Sequence, residues 1–118
     1  MFAAAETMGG SVGSVGATSL GGMQIDLAAV EHTPHGGRRV LALGEVKARS
    51  TRVGPEVLDR LDAACAALVS DPPARTQVDG SVKRILVSRA GFTNDLRRRA
   101  DRRPDVELVD LDRLYHGE

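Results

Sequence analysis

At 118 residues and 42% apolar composition, the chain suffices for one small domain, residues 1–118, with a core of Val, Leu, Ile and Ala, since Phe2, Phe92 and Tyr115 are its aromatics. Acidic and basic residues balance at 16 each, which excludes a bulk electrostatic footprint for nucleic acid and leaves a local basic patch as the alternative. The lone Cys65 excludes a disulfide framework and a cysteine-based zinc cluster, and no stretch reaches the roughly 20 apolar residues of a membrane span.

The amino terminus, MFAAAETMGG, carries Glu6 and no basic segment ahead of its Ala run, so it reads as a poor signal peptide. A reduced, cytoplasmic protein is the expectation, with residues 1–10 poorly ordered or supplying a turn or two of helix. Residues 11–20, SVGSVGATSL, predict a weak first strand in which Gly13 and Gly16 suggest a bulge or a close backbone approach. Gly21-Gly22 make a turn. Met23 to Glu31 predict a second strand, with Ile25, Leu27 and Ala29 on one face and Gln24, Asp26 and Ala28 on the other. The segment HTPHGG at 32–37 is a hairpin loop by composition. Arg38 to Ala48 is the longest strand candidate. Its period of two sets Leu41, Leu43, Glu45 and Lys47 on one face and Val40, Ala42, Gly44 and Val46 on the other.

A basic link, ARSTR at 48–52, leads into a helix. Gly54 suits the N-cap, Pro55 the first helical position, and Glu56 complements the positive end of the dipole. Leu58, Leu61, Cys65 and Leu68 recur at helical spacing until Asp71-Pro72-Pro73 stops the helix. Residues 71–82 read as a polar loop. Lys83 to Ser88, KRILVS, is short and β-branched and predicts a central parallel strand. Thr93 is a good N-cap for a helix reaching about Arg102, which Pro104 ends. Val106 to Val109 predict a last strand, after which Asp110 can cap a turn through Leu111, Leu114 and Tyr115. The order β-β-β-α-β-α-β implies an α/β protein, a mixed sheet with helices packed on it.

Charges inside apolar strands are costly unless paired or bound to metal. Asp26 lies in the second strand, and Glu45 and Lys47 share one face of the third, roughly 6.5 Å apart along the axis. If Glu31 faces Arg38, Asp26 falls opposite Leu43, and one bulge or a wider loop brings it beside Glu45. Two carboxylates there could share a Mg²⁺ ion, with Lys47 orienting a water or stabilising developing charge. The same residues also fit an internal ion pair or exposed strand charges in a structural hairpin. Of the 16 basic residues only Lys47 and Lys83 are lysines, which favours a position that needs a compact point charge.

Ile25-Asp26 followed by Gly44-Glu45-Val46-Lys47 resembles the core motif of the PD-(D/E)XK nuclease superfamily, to which restriction-endonuclease-like enzymes belong. Further along, GGSVGSVGATSL, QIDLAAV, LALGEVKAR, VSRAGFTNDLRRRA and VELVDLDRLYHG together resemble the C-terminal nuclease-like domain of archaeal-type AAA ATPases that also occur in bacteria. That resemblance covers about residues 5–117. It implies a restriction-endonuclease-like fold, Asp26 and Glu45 as ligands of Mg²⁺ or Mn²⁺, Lys47 as the catalytic lysine, and DNA as substrate. The first helix of that fold is truncated or missing here, with Glu6 as its acidic candidate. No G-x-x-x-x-G-K-[ST] segment is present, so the implied ATPase would be a separate partner, or this chain a truncated ATPase C-terminal domain. The alternative function is a nuclease-like module that binds DNA or such an ATPase and cuts nothing.

Arg49 and Arg52 flank the motif strand and are the phosphate-binding candidates. Arg97-Arg98-Arg99 with Arg102-Arg103 fit a solvated helix face near a favourable C-terminal end. His32, His35 and His116 read as solvated, and Cys65 as core. Ser88 and Thr93 lack a His/Asp partner at readable spacing, so no hydrolytic triad is expected.

Overall fold

Alternating apolar positions dominate the first half of the chain and helical spacing enters only after Pro55, and the architecture follows that division. The computed structural model describes residues 14–20 and 23–111. Strands β1 (Ser14–Leu20), β2 (Met23–His32) and β3 (Arg38–Lys47) form an antiparallel meander. Helix α1 (Pro55–Ser70) then crosses to β5 (Lys83–Ser88), and helix α2 (Asn94–Asp101) to β6 (Val106–Asp110), with β5 parallel to both β3 and β6. The sheet order is β1-β2-β3-β5-β6. A two-residue strand, β4 (Thr76–Gln77), pairs with the start of β3 inside the segment expected to be loop. The expected remnant helix at residues 1–10, Gly13, the Gly21-Gly22 turn, and Leu114, Tyr115 and His116 lie outside the described residues.

Local chemistry explains the helix limits. Pro55 opens α1, Glu56 sits in its first turn, and the Asp71 N–H donates to the Ala67 carbonyl before Pro72 and Pro73 stop it. Thr93 caps α2, its Oγ1 accepting from the Leu96 N–H at 3.3 Å. Val57, Leu58, Leu61, Cys65 and Leu68 of α1 and Leu96 of α2 pack on one sheet face together with Ile25, Ala28, Val30, Val40, Leu43 and Leu86. The opposite face gathers Leu27, Ala29, Ala42, Ile85 and Val87. Strand β5 is buried on both faces, as its unbroken apolar run requires.

Strict period two fails at two places, and both matter for the site. Between Gly16↔Ala28 and Thr18↔Ile25, two residues of β2, Asp26 and Leu27, oppose the single Ala17. This bulge returns Ile25 to the helix-covered face beside Ala28 rather than beside Leu27. Between Ala29↔Ala42 and Val30↔Val40, Leu41 is the extra residue of β3. Val40 therefore shares the helix-covered face with Leu43, while Leu41 joins Ala42 on the other.

At the amino end of β5, four charges tie the layers together. Asp62 of α1 accepts from Arg84 Nε at 3.0 Å and from Arg103 Nη1 and Nη2 at 2.7 and 2.9 Å. Asp105 accepts from the same two guanidinium groups. Hydrogen bonds from Arg103 hold both carboxyls below the usual carboxylate range. A depressed folded-state pKa contributes stability that is complete above the unfolded value of about 4 and fades as pH falls through the lower folded value. Asp62→Asn is thus expected to cost about 2 kcal/mol at neutral pH, a loss of charged hydrogen bonds, and to flatten the acid dependence below about pH 4. Urea melts of both proteins from pH 7 to pH 2.5 check this, and parallel curves at all pH values refute it.

Candidate active site

Strand β3 carries Glu45 and Lys47 to the carboxyl end of the sheet, where parallel strands present ligand sites. Continuing the alternation from Leu43 directs both toward the helix-covered face, and contacts agree. Lys47 Nζ lies 2.8 Å from Glu45 Oε2, and Arg60 of α1 reaches the same oxygen at 3.5 Å. Both members of the lysine pair are largely shielded, with side chains 26% and 22% exposed.

Asp26 arrives from the neighbouring strand. The β2–β3 ladder runs to Leu27↔Gly44, and continuing its register by one residue sets Asp26 level with Glu45. The Leu41 bulge supplies part of that offset. The Asp26 carboxylate accepts from the Val46 N–H at 3.2 Å, giving that amide a partner where the ladder ends. Its side chain bonds the N–H of Val46, the residue between Glu45 and Lys47, so the three candidate residues are brought to one strand end.

Two oxygen-donor carboxylates at the ends of adjacent strands suit a hard divalent cation that keeps most of its waters. No group of three or more His, Cys, Asp or Glu side chains positioned to hold a metal occurs among the described residues. The other lysine weakens the argument from lysine scarcity, because Lys83 simply pairs with Glu107 at 3.0 Å across β5 and β6. Arg49 and Arg52 are exposed in the segment after β3. Their sequence neighbours are fastened to the loop after β5: the Val53 N–H donates to the Gly91 carbonyl and the Thr93 N–H to the Val53 carbonyl, each at 3.0 Å.

That second loop contains a residue overlooked in the sequence. The Arg89 N–H donates to the Lys47 carbonyl at 3.1 Å, which binds an exposed arginine to the end of the motif strand. Register Lys47↔Ser88 gives the reason, and it depends on the β3–β5 crossover, which leaves no local sequence signal. Ser88 itself is fully buried and donates to the Gly91 carbonyl at 2.8 Å, a structural role in shaping the loop. His32 and His35 are exposed in and beside the hairpin loop, and Cys65 is buried with burial pushing its thiol pKa up, which suits an inert core position.

No family model and no curated protein matches the sequence. Among solved structures, the crystal structure of a repair endonuclease from Pyrococcus abyssi superposes with a TM-score of 0.50 at 11% identity, covering 92% of this chain and 42% of that one. The structure of EndoMS in apo form gives 0.43 at 16% identity, over 81% of this chain and 37% of that one. The chain thus spans less than half the length of the endonuclease whose fold it resembles. At such low identity the likeness is one of fold alone, and the fold is a mixed α/β, endonuclease-like one.

Proposed function

We propose that this is a nuclease-like domain of the PD-(D/E)XK type that hydrolyses phosphodiester bonds in DNA with Mg²⁺ or Mn²⁺. The observation carrying this reading is the Asp26 carboxylate on the Val46 amide, between Glu45 and Lys47, in an endonuclease-like fold. Asp26 and Glu45 would hold the ion, and the chemistry supplied there is polarisation of a phosphoryl oxygen and a lowered pKa for a water. Lys47 orients the attacking water and stabilises charge developing on the phosphoryl oxygens, with its ammonium held ready by Glu45. The assay is purified protein on duplex, single-stranded and branched DNA with each metal. Metal-dependent cleavage is expected, and Asp26→Ala is expected to reduce it by on the order of a hundredfold or more. Cleavage that survives both Asp26→Ala and Lys47→Ala would identify a contaminant.

A second reading has one observation in its favour. Glu45 Oε2 is already engaged by Lys47 and Arg60. A carboxylate so compensated also fits a non-catalytic module that binds DNA or docks on a separate AAA-type ATPase. Calorimetry with Mg²⁺ and Mn²⁺ separates the two, because heat of binding that disappears in Asp26→Ala belongs to the first.

A further inference from the structure

Two clusters of arginines differ in what they touch, while the exposed Arg39 and Arg75 stand apart at the hairpin-loop end of β3. On the helix side the arginines are engaged by carboxylates: Arg84 and Arg103 by Asp62 and Asp105, Arg99 by Asp59 at 2.9 Å, and Arg98 by Asp95. The cleft lined by Pro55, Asp95, Arg98, Arg99, Arg102 and Arg103 is therefore a weak attractor for anions, since three of its four guanidinium groups are already neutralised.

The second group stands at the carboxyl end of the sheet. Arg49 and Arg52 follow β3 and Arg89 follows β5, all three exposed, and none forms an ion pair or side-chain hydrogen bond among the described residues. The loops that carry them are joined by the Arg89–Lys47 and Val53–Gly91–Thr93 backbone bonds and by the Val53↔Phe92 bridge, which hold the rim in a defined shape before any ligand arrives. Arg97 stays out of the group. Its Nε donates to the Phe92 carbonyl at 3.4 Å, and its guanidinium shares the space above Gly91 with the Asp110 carboxylate.

We propose that Arg49, Arg52 and Arg89 form the surface that takes the phosphodiester backbone of DNA, with Arg89 aligning the strand on Lys47. The proposal rests on the nuclease-like reading for its choice of ligand. Planar guanidinium forks match phosphate oxygens in pairs, and unpaired ones need surrender no carboxylate to do so. Because net charge is zero, affinity comes from these few contacts. The logarithm of the association constant should then fall with the logarithm of salt concentration with a slope of about −3, one phosphate per arginine.

The test is anisotropy of a labelled DNA duplex in EDTA across a salt series, beside a cleavage assay at DNA well below saturation, where the rate reports binding as well as chemistry. Arg89→Ala is expected to weaken binding severalfold and reduce the slope by about 1. The triple change Arg49→Ala, Arg52→Ala, Arg89→Ala should remove nearly all of the slope, with thermal melting confirming the fold. Arg98→Ala, from the carboxylate-engaged group, should change affinity less than about twofold. A triple variant with unchanged affinity and slope, or wild-type protein that does not bind the duplex, overturns the proposal. Binding through the rim without any cleavage by wild type leaves the rim standing and removes the nuclease reading. Cleavage unaffected in the triple variant does the reverse.

Discussion

Lys47→Ala is expected to lower the metal-dependent cleavage rate by about two to four orders of magnitude while leaving the KM for DNA within a few fold. The size follows from the role: removing one group that stabilises transition-state charge costs about 10²–10³, and removing a proton-transfer or water-orienting group about 10²–10⁴. Stability should hardly change, because a partly exposed ion pair such as that between Lys47 and Glu45 contributes on the order of 0–1 kcal/mol. Lys47→Arg is the sharper variant. It preserves the charge and a partner for Glu45, but replaces a compact ammonium with a planar fork that cannot occupy the same point. Arg is expected to restore little activity. Single-turnover cleavage with folded variants checks both, and a Lys47→Ala rate within tenfold of wild type removes Lys47 from the chemistry.

The largest effect on stability is expected at Gly44. A Cβ there would lie 2.7 Å from the Ile85 carbonyl oxygen and 3.1 Å from Leu27 Cδ2. The first of these is backbone of the central strand β5, which cannot yield without disturbing its ladders to β3 and β6. Elsewhere in a strand, Gly→Ala would be favourable by some tenths of a kcal/mol through the unfolded chain. Here overpacking wins, and Gly44→Ala should cost about 2 kcal/mol, with Gly44→Val costing more. Melting should drop by roughly 10 °C for Ala, given about 4–8 °C per kcal/mol in a domain of this size. Because Gly44 precedes Glu45, even a tolerated shift should lower activity as well. An Ala variant as stable as wild type in urea would mean that β3 and β5 can separate more easily than their packing implies.

The parts of the fold legible in the sequence are those fixed by local chemistry. Pro55, Pro72 and Thr93 bounded the helices, and the apolar run at 83–88 marked the central parallel strand, whose ends match those observed. Asp26, Glu45 and Lys47 were singled out by charge within apolar strands, and the structure brings them to one strand end. The rest depends on distant partners. Leu41 looks like any alternating residue, and its bulge exists only because β2 and β3 are matched to each other as well as to their cores. Gly13 and Gly16 were the local hints of the other bulge, which falls just after Gly16, although the extra residue lies on β2. The difference between Arg98, held by Asp95, and Arg89, held by nothing but its backbone, is equally invisible in a row of arginines.

The Leu41 bulge also makes the hairpin modular. Pairs toward the loop follow one register, from Val30↔Val40 to His32↔Arg38, and pairs toward the carboxylates follow another, from Leu27↔Gly44 to Ala29↔Ala42. An inserted residue in the exposed Pro34–Gly36 tip lengthens the loop and disturbs at most the loop-side register, with the distal register untouched. The tip is accordingly the place to graft a label, a tag or a tether without moving Asp26 relative to Glu45, and a lineage could vary that loop freely for the same reason.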